Sequence, residues 1–235
     1  MRVKAATIIV GMCGVLFSAT QVLAASVSIN PSINIDFGAW GAPPSNAYGG
    51  AAGQAGTWNQ VGAIGPATRN LVDINGVSGS LSLSLTGSTI VNSIAITGYT
   101  GDERALLNDF IYTERHGPWS FSIDGLGNGA YDVYAYAPAH VNVGTGDFSI
   151  NGIAQSAVTG STGGTVDLGV EYLVARTIVS NGTMSFVSST SLYRSGLAGL
   201  QISNVSAIPL PPAAILFGTA LLGLAGLKRR KRTAA

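Results

Sequence analysis

The chain has 235 residues, of which 46% are hydrophobic and only 10% are charged, and this length fits one folded domain with additional terminal segments. Seven of the 12 lysines and arginines lie in the first four and the last eight residues. The region between them holds five arginines, no lysine and all 11 acids. Because binding to a phosphate backbone requires clustered cations, this acidic region excludes nucleic acid as an expected partner.

The first 25 residues have the three parts of a secretory signal peptide. Arg2 and Lys4 precede an apolar run from Ile8 to Phe17, and small residues ending at Ala24 follow it. This order predicts cleavage after Ala24 or Ala25. We therefore expect a signal peptide over residues 1–25 and an exported mature chain.

Residues 26–207 contain short runs in which apolar and polar residues alternate. Leu81, Leu83 and Leu85 are one such set, and similar runs recur through this region. Alternation of period two is typical of strands with one buried face. The runs are separated by Asn-Gly and Asp-Gly pairs at Asn75, Asp124, Asn151 and Asn181, which predict tight hairpin turns. The pattern predicts an all-β domain, an antiparallel β-sandwich or jelly roll.

Two segments of this domain differ from the strand pattern. Leu106, Leu107, Phe110 and Ile111 have helical spacing, with Asp102 as the expected N-cap, which predicts one short helix. The Gly- and Ala-rich segment 41–56 predicts a flexible loop.

The last 28 residues, 208–235, have three parts of their own. The β domain ends at a proline-rich motif, since proline cannot continue a strand. The motif consists of Pro209, Leu210, Pro211 and Pro212. Ala213–Leu227 is a 15-residue uncharged run, shorter than the ~20 residues of a spanning helix unless it is counted from Ile208. Five cations follow it: Lys228, Arg229, Arg230, Lys231 and Arg232.

This three-part tail resembles the PEP-CTERM class of bacterial sorting signals, in the variant with a Val-Pro-Leu-Pro-Ala motif. The chain has Ile208 in place of the valine and Pro212 in place of the alanine. The resemblance implies recognition by an exosortase-type membrane transpeptidase, cleavage near the prolines, and transient anchoring through the apolar helix. Delivery would be to the cell surface or extracellular matrix of a Gram-negative bacterium. An ordinary single-span anchor is the alternative.

The body resembles the galactose-binding-like sandwich domains that often precede such tails. The resemblance rests on short blocks, among them TWNQVG, SGSLSLSLTG, FSIDGLGNGAYDVYAYA and SGLAGLQISNV. It implies carbohydrate association and leaves a Ca²⁺ ion open as a cofactor, bound by aspartate and carbonyl oxygens, although no D-x-D-x-D loop is present.

Sugar binding requires exposed aromatic faces together with hydrogen-bonding groups. The candidate ligand contacts are Trp58, Asn59, Trp119, Tyr134 and Tyr136. Alternation sends Tyr134 and Tyr136 to one face and Val133 and Ala135 to the other, so one of these two pairs belongs to the core. Core packing is the alternative role of each aromatic residue.

Catalysis has weaker support in the sequence. No Gly-x-Ser-x-Gly elbow is present, and the only two histidines, His116 and His140, are far apart in the sequence. We therefore expect a non-enzymatic surface or matrix protein associated with polysaccharide. The alternatives are a secreted carbohydrate-active hydrolase that uses Glu114 or Asp109, and a self-associating matrix protein.

Overall fold

The structure is a computed structural model that describes residues 30–38, 40–62, 66–86, 90–93, 96–114, 118–139, 143–160, 163–188 and 194–205. These residues form one helix, α1 (Gly101–Leu107), and fourteen strands: β1 (Ile33–Asp36), β2 (Trp58–Gln60), β3 (Ala67–Val72), β4 (Ser78–Leu85), β5 (Ile90–Ser93), β6 (Asp109–Glu114), β7 (Ser120–Asp124), β8 (Gly129–Tyr136), β9 (Phe148–Ile150), β10 (Ile153–Gln155), β11 (Tyr172–Val179), β12 (Thr183–Ser188), β13 (Arg194–Leu197) and β14 (Gly199–Asn204).

The strands form two large sheets and one small sheet. The five-stranded sheet has the order β11-β8-β14-β1-β2, and the six-stranded sheet has the order β10-β9-β12-β7-β4-β3. Pairing is antiparallel throughout these two sheets except between β1 and β2. A three-stranded sheet, β13-β6-β5, completes the domain.

The main core lies between the two large sheets. Alternate residues of the five-stranded sheet, such as Ile33 and Ile35, share one buried cluster with Leu83 and Ile123 of the six-stranded sheet. Aromatic rings fill the centre of this cluster, where Phe121 and Phe186 stack with their centroids 4.6 Å apart. The molecule is therefore a β-sandwich, as the alternating runs predict.

Two of the predicted tight turns are hairpins and two are not. Asn75-Gly76 lies between the paired strands β3 and β4, and Asn151-Gly152 lies between the paired strands β9 and β10. Asp124-Gly125 and Asn181-Gly182, however, each connect a strand of one large sheet to a strand of the other. The prediction of hairpins at these two sites is wrong, because a positive-φ glycine fits a sheet-to-sheet connection as well as a hairpin.

The helix is shorter than its sequence pattern predicts. It ends at Leu107, and Phe110 and Ile111 lie in β6 instead. Within β6 these two side chains belong to different hydrophobic clusters, so successive side chains point to opposite faces, as in a strand. The helix begins at Gly101, so its N-cap is Thr100 and not Asp102. The Asp102 carboxylate instead accepts hydrogen bonds from the backbone N–H and the hydroxyl of Ser45.

A second hydrophobic cluster lies on the outer face of the five-stranded sheet. Trp58 and Tyr136 from the sheet pack there with Leu106 and Leu107 of α1 and with Phe110 of β6. These residues cover part of the face that points away from the main core, whereas Val174 and Ile178 of β11 remain exposed on it.

The predicted signal peptide (1–25) and sorting segment (208–235) lie outside the described residues, as do His116 and His140. The part of the chain that the structure describes contains no helix with the length and apolar character needed to cross a membrane.

Candidate functional site

The predicted ligand contacts are not gathered on one open surface. Trp119 is 0% exposed in the main core, where it packs on Phe121 and Phe148, so its ring is not available for stacking. Trp58 is 5% exposed and donates its indole N–H to the Tyr48 carbonyl oxygen at 3.3 Å. Both tryptophans therefore have packing roles in this structure.

Asn59 uses its side chain to join neighbouring strands. Its amide nitrogen donates to the carbonyl oxygens of Asn34 and Val72, and its amide oxygen accepts from the Val72 N–H at 2.8 Å. The amide thus has partners on both sides within the fold, and a ligand would have to compete with them.

Alternation along β8 is confirmed. Val133 and Ala135 belong to the main core, whereas Tyr134 and Tyr136 belong to the second cluster on the outer face of the sheet. Tyr136 is fully buried, and burial raises the pKa of its hydroxyl far above the usual value. Tyr134 is half-buried and contacts Tyr172, so it is the predicted aromatic residue whose ring remains partly accessible.

The segment 41–56 covers this face as a fixed loop. The Tyr136 hydroxyl accepts from the Ala51 N–H at 2.7 Å and donates to Gln201 Oε1 at 2.6 Å. Gln54 and Gln201 both donate from their amide groups to Asn34 Oδ1, at 2.9 and 3.0 Å. The prediction of a flexible loop is wrong, because buried amides on the sheet satisfy the polar groups of the loop backbone.

Two aspartates are buried beside the second cluster. Asp36, at the end of β1, is 0% exposed, and Asp109, at the start of β6, is 2% exposed. Burial and then the neighbouring Asp109 charge raise the pKa of Asp36 to about 9, while the Gln60 amide opposes the shift. Burial also raises the pKa of Asp109, although its hydrogen bond from the Trp40 N–H acts in the opposite direction.

This burial also bears on the hydrolase alternative. A substrate has no open path to Asp109 in this conformation, since the residue is almost wholly enclosed. The side chain of Glu114 lies outside the described residues.

The outer face of the six-stranded sheet, in contrast, is open and lined with hydroxyl groups. Its strand register aligns two rows across the sheet: Thr68, Ser84, Ser122 and Ser185 in one, and Asn70, Ser82, Asp124 and Thr183 in the other. We call these two rows the hydroxyl face. Sheet geometry spaces the residues by about 4.8 Å across strands and about 7 Å along them. The two rows hold no basic side chain, and their one charged member is Asp124.

The hydroxyl face holds its side chains through short hydrogen bonds. Asp124 accepts from the Thr183 hydroxyl at 2.8 Å and from the Ser122 hydroxyl at 3.1 Å. The hydroxyls of Thr68 and Ser84 lie 3.3 Å apart. These contacts orient the hydroxyl groups, but each hydroxyl oxygen has a second lone pair that a ligand can use.

The rows end at a cleft of about 460 Å³, whose lining residues are Asn151, Ile178, Ser180, Asn181, Thr183 and Ser185. This volume lies within the range of about 300–1,000 Å³ that is typical of small-molecule sites. Ile178 is 71% exposed and supplies an apolar surface beside the amides and hydroxyls. The cleft therefore offers both kinds of contact that a sugar ring requires.

Asn151 shapes the cleft from within the fold. Its amide nitrogen donates to Thr177 Oγ1 on β11 at 3.2 Å, and its amide oxygen accepts from the Ser185 N–H on β12 at 2.8 Å. It thereby links β11, at the edge of the five-stranded sheet, to β12 of the six-stranded sheet. Its own φ of 50° places it in the left-handed region, which Asn tolerates better than most residues.

Sequence reasoning missed the cleft, although a signal was present. Two of its residues, Asn151 and Asn181, belong to the Asn-Gly turns that we identified only as chain reversals. A turn at the end of a strand also places the side chains of its residues at the end of the sandwich. The sequence does not show that the turns at Asn151 and Asn181 lie next to each other, because only the fold brings them together.

The chain matches no protein-family model and no curated protein. Among solved structures, it is 16% identical to an exo-β-1,3-galactanase from Phanerochaete chrysosporium, covering 56% of this chain and 32% of that one, with a TM-score of 0.35. It is 12% identical to a calcium-binding mutant of Bacteroides uniformis β-glucuronidase 2, covering 74% and 18%, with a TM-score of 0.45. It is 15% identical to the ANXUR2 extracellular domain from Arabidopsis thaliana, covering 75% and 49%, with a TM-score of 0.44. The chain spans less than half of each of these proteins.

Proposed function

We propose that this chain is an exported, non-enzymatic protein of the cell surface or extracellular matrix, which binds polysaccharide along the hydroxyl face and in the adjoining cleft. The observation that carries this proposal is the continuity of the two: an open row of oriented hydroxyls runs into a cleft lined by amides, hydroxyls and the exposed Ile178. Sugars present hydroxyl groups and apolar C–H faces, so both surfaces complement them.

A glycan array probed with the full-length protein tests this function, followed by titration of any glycan that is retained. Ile178→Ala removes the apolar surface of the cleft, and we expect it to weaken binding by about five- to tenfold. Val174→Ala is the matched control, since Val174 lies on the same strand and face, is 41% exposed and does not line the cleft. Equal weakening by both variants, or no retained glycan, would contradict the proposal.

We also propose that the tail is removed by an exosortase-type enzyme. The support is the order of the Pro209–Pro212 motif, the apolar run and the Lys228–Arg232 cluster in the sequence. Intact mass of the surface-exposed protein is the test, with Pro211→Ala as the variant that should block processing. A mature wild-type chain that retains Lys228–Arg232 would refute cleavage.

Assays of hydrolysis and of self-association with the same purified protein distinguish the proposed function from its two alternatives. We expect no release of reducing sugar from the producer's exopolysaccharide. Hydrolysis that Glu114→Gln abolishes would instead establish the hydrolase. Concentration-dependent assembly in sedimentation velocity, without glycan binding, would favour the self-associating matrix protein.

A further inference from the structure

The C-terminal end of the described chain leaves the sandwich beside the cleft. The Val205 N–H, which follows β14, donates to the Ala130 carbonyl oxygen at 2.8 Å, and Ala130 pairs with Ile178 of β11. Val205, Ala130 and Ile178 therefore lie side by side across three neighbouring strands. Because adjacent strands are about 4.8 Å apart, Val205 lies about 10 Å from Ile178. The residues that follow Val205 thus emerge within reach of the cleft.

The cleft combines an apolar surface with uncharged hydrogen-bond donors. Ile178 is the exposed apolar residue of its lining, and the other lining residues carry only hydroxyl or amide groups. The Asn181 amide oxygen accepts from the Thr183 N–H at 3.3 Å, so its amide nitrogen is the group that can donate to a ligand. Ser180 adds a hydroxyl next to it. A matching occupant is uncharged, with apolar side chains and carbonyl acceptors.

The segment that follows Val205 has this chemistry. Residues 206–212 read Ser-Ala-Ile-Pro-Leu-Pro-Pro and contain no charge. Their three prolines lack an N–H group, so the backbone offers mainly carbonyl acceptors. Proline also favours the extended polyproline conformation, which loses little entropy on docking. At a rise of about 3.1 Å per residue, the four residues from Val205 to Pro209 span about 12 Å, which is enough to reach Ile178.

We propose that residues 206–212 of the unprocessed chain dock in the cleft, with Ile208 against Ile178. The chain then covers the surface on which its glycan site depends. Cleavage near the prolines shortens this segment and opens the cleft, so that export and processing would precede full binding of polysaccharide. The consequence for glycan binding rests on the proposed function, whereas the docking itself does not.

Disulfide formation in the full-length protein, kept in mild detergent, tests the docking. Cys13 is the only cysteine of the chain, so a Cys13→Ser background contains only the cysteines that are introduced. Ile208→Cys is combined with Asn181→Cys in the test variant and with Asn75→Cys in the control. We expect oxidised glutathione to close the pair at positions 181 and 208 at least about tenfold faster, because docking raises the effective concentration of these two thiols.

Asn75 is a matched control because it lies at a similar distance from Val205, on the side away from the cleft. The N–H of the preceding Ile74 donates to the Ser32 carbonyl oxygen, and the Ser32 hydroxyl accepts from the Asn204 N–H. Two strand spacings, about 10 Å, therefore separate this turn from the exit of the chain as well. Like Asn181, Asn75 is exposed and precedes a glycine.

Peptide mass mapping without reduction measures both rates. Equal rates, faster closure at position 75, or a covalent dimer in place of the intramolecular bond would overturn the proposal. Ser180→Cys is a second reporter in case Asn181→Cys does not fold, since Ser180 also lines the cleft. Ile178→Ala should slow closure at position 181 about fivefold, and Val174→Ala, outside the cleft, should leave it unchanged.

Glycan titration then tests whether docking covers the glycan site. The full-length Ile208→Ser variant should bind a retained glycan about fivefold more tightly than the wild type, because its cleft is free of the competing segment. Ile178→Ala, which weakens both ligands, is titrated in this Ile208→Ser background. Equal affinities of Ile208→Ser and the wild type would refute covering of the site. Absence of any retained glycan contradicts the proposed function alone, because disulfide formation is measured without glycan.

Discussion

At the residue scale, four buried polar side chains explain how the loop over the five-stranded sheet is held. These residues form hydrogen bonds with one another and with the loop backbone; they are Asn34, Gln54, Tyr136 and Gln201. Each side chain donates or accepts a hydrogen bond that another group of the network requires. Removal of one side chain therefore leaves a neighbouring donor or acceptor without a hydrogen-bond partner. Such networks are stable when complete and sensitive to single deletions.

Tyr136→Phe tests this network directly. The change removes the hydroxyl that accepts from the Ala51 N–H and donates to Gln201 Oε1, at positions where water cannot replace it. We expect the free energy of unfolding to fall by about 1–3 kcal/mol. Tyr134→Phe, in the half-buried neighbour, should change it by less than about 0.5 kcal/mol. Urea unfolding of both variants provides the measurement, and equal losses would contradict the network's role.

Strand β8 shows which features of the site the sequence predicts and which it does not. Alternation along β8 correctly separates Val133 from Tyr134, because side-chain direction in a strand is a local property. Whether the face that carries Tyr134 and Tyr136 is open depends on a loop about 85 residues earlier in the chain, and the interior position of Trp119 likewise depends on distant strands. No local pattern contains that information.

A second residue-scale prediction concerns the Arg176–Asp132 pair. Arg176 Nε and its terminal nitrogen donate to the two Asp132 oxygens at 2.7 and 2.8 Å, and this hydrogen bonding lowers the pKa of Asp132. A lowered folded-state pKa stabilises the protein above the ordinary value near 4, and this contribution is lost as the pH falls through the folded-state pKa.

The effect should be small, because the Arg176 side chain is 63% exposed and solvent screens the pair. Arg176→Gln should therefore lower Tm slightly at pH 6 and by less at pH 2.5. Thermal unfolding across this range is the measurement. A loss of Tm that is as large at pH 2.5 as at pH 6 would assign the effect to packing of the arginine stem instead.

At the element scale, the Gly- and Ala-rich loop 41–56 acts as a lid fixed on a sheet. Its composition predicts flexibility, but small residues are also what allow a backbone to lie flat on buried amides. Gly50 illustrates this requirement: its φ is 54°, and a Cβ there would lie 2.4 Å from Gln201 Oε1. The glycine is needed both for backbone conformation and for close approach.

Two variants, Gly50→Ala and Gly53→Ala, distinguish the requirement for a positive φ from the requirement for close packing. Both positions have positive φ, 54° and 63°, but a Cβ at Gly53 would meet nothing within 4 Å. We expect Gly53→Ala to cost about 1 kcal/mol for the backbone alone. Gly50→Ala should cost at least about 1 kcal/mol more, because it also displaces Gln201. Urea unfolding and limited proteolysis of the loop are the measurements, and similar costs would contradict close packing at Gly50.

The error in the helix boundary has a physical origin at the same scale. The apolar residues of this segment have helical spacing; they are Leu106, Leu107, Phe110 and Ile111. However, Phe110 and Ile111 are equally compatible with a strand that is buried on both faces. The chain adopts the strand because β6 pairs on both sides, with β5 and β13. The pairing with β13 joins Leu197 to Ile111, 86 positions earlier in the chain, so tertiary contacts override the local pattern.

At the scale of the whole molecule, the two outer faces of the sandwich differ in kind. The loop 41–56 and α1 cover part of the outer face of the five-stranded sheet, whereas the six-stranded sheet presents the hydroxyl face to solvent. Residues 26–207 carry six more acids than arginines, and neither row of the hydroxyl face contains a cation. The open face is therefore suited to neutral ligands, since an anionic chain would be repelled and would find no partner there.

This charge distribution predicts how binding depends on salt. Contacts between neutral hydroxyls and amides are not screened by ions, so the affinity for a neutral glycan should change by less than about twofold between 50 and 500 mM NaCl. Sulfated or uronic-acid-rich polysaccharides should bind more weakly at low salt, where repulsion from the acidic surface is least screened. Affinity electrophoresis in gels that contain each polysaccharide, run at the two salt concentrations, measures both effects. Affinity for an anionic polysaccharide that falls steeply with added salt would instead indicate a basic surface, and the binding site would then lie away from the hydroxyl face.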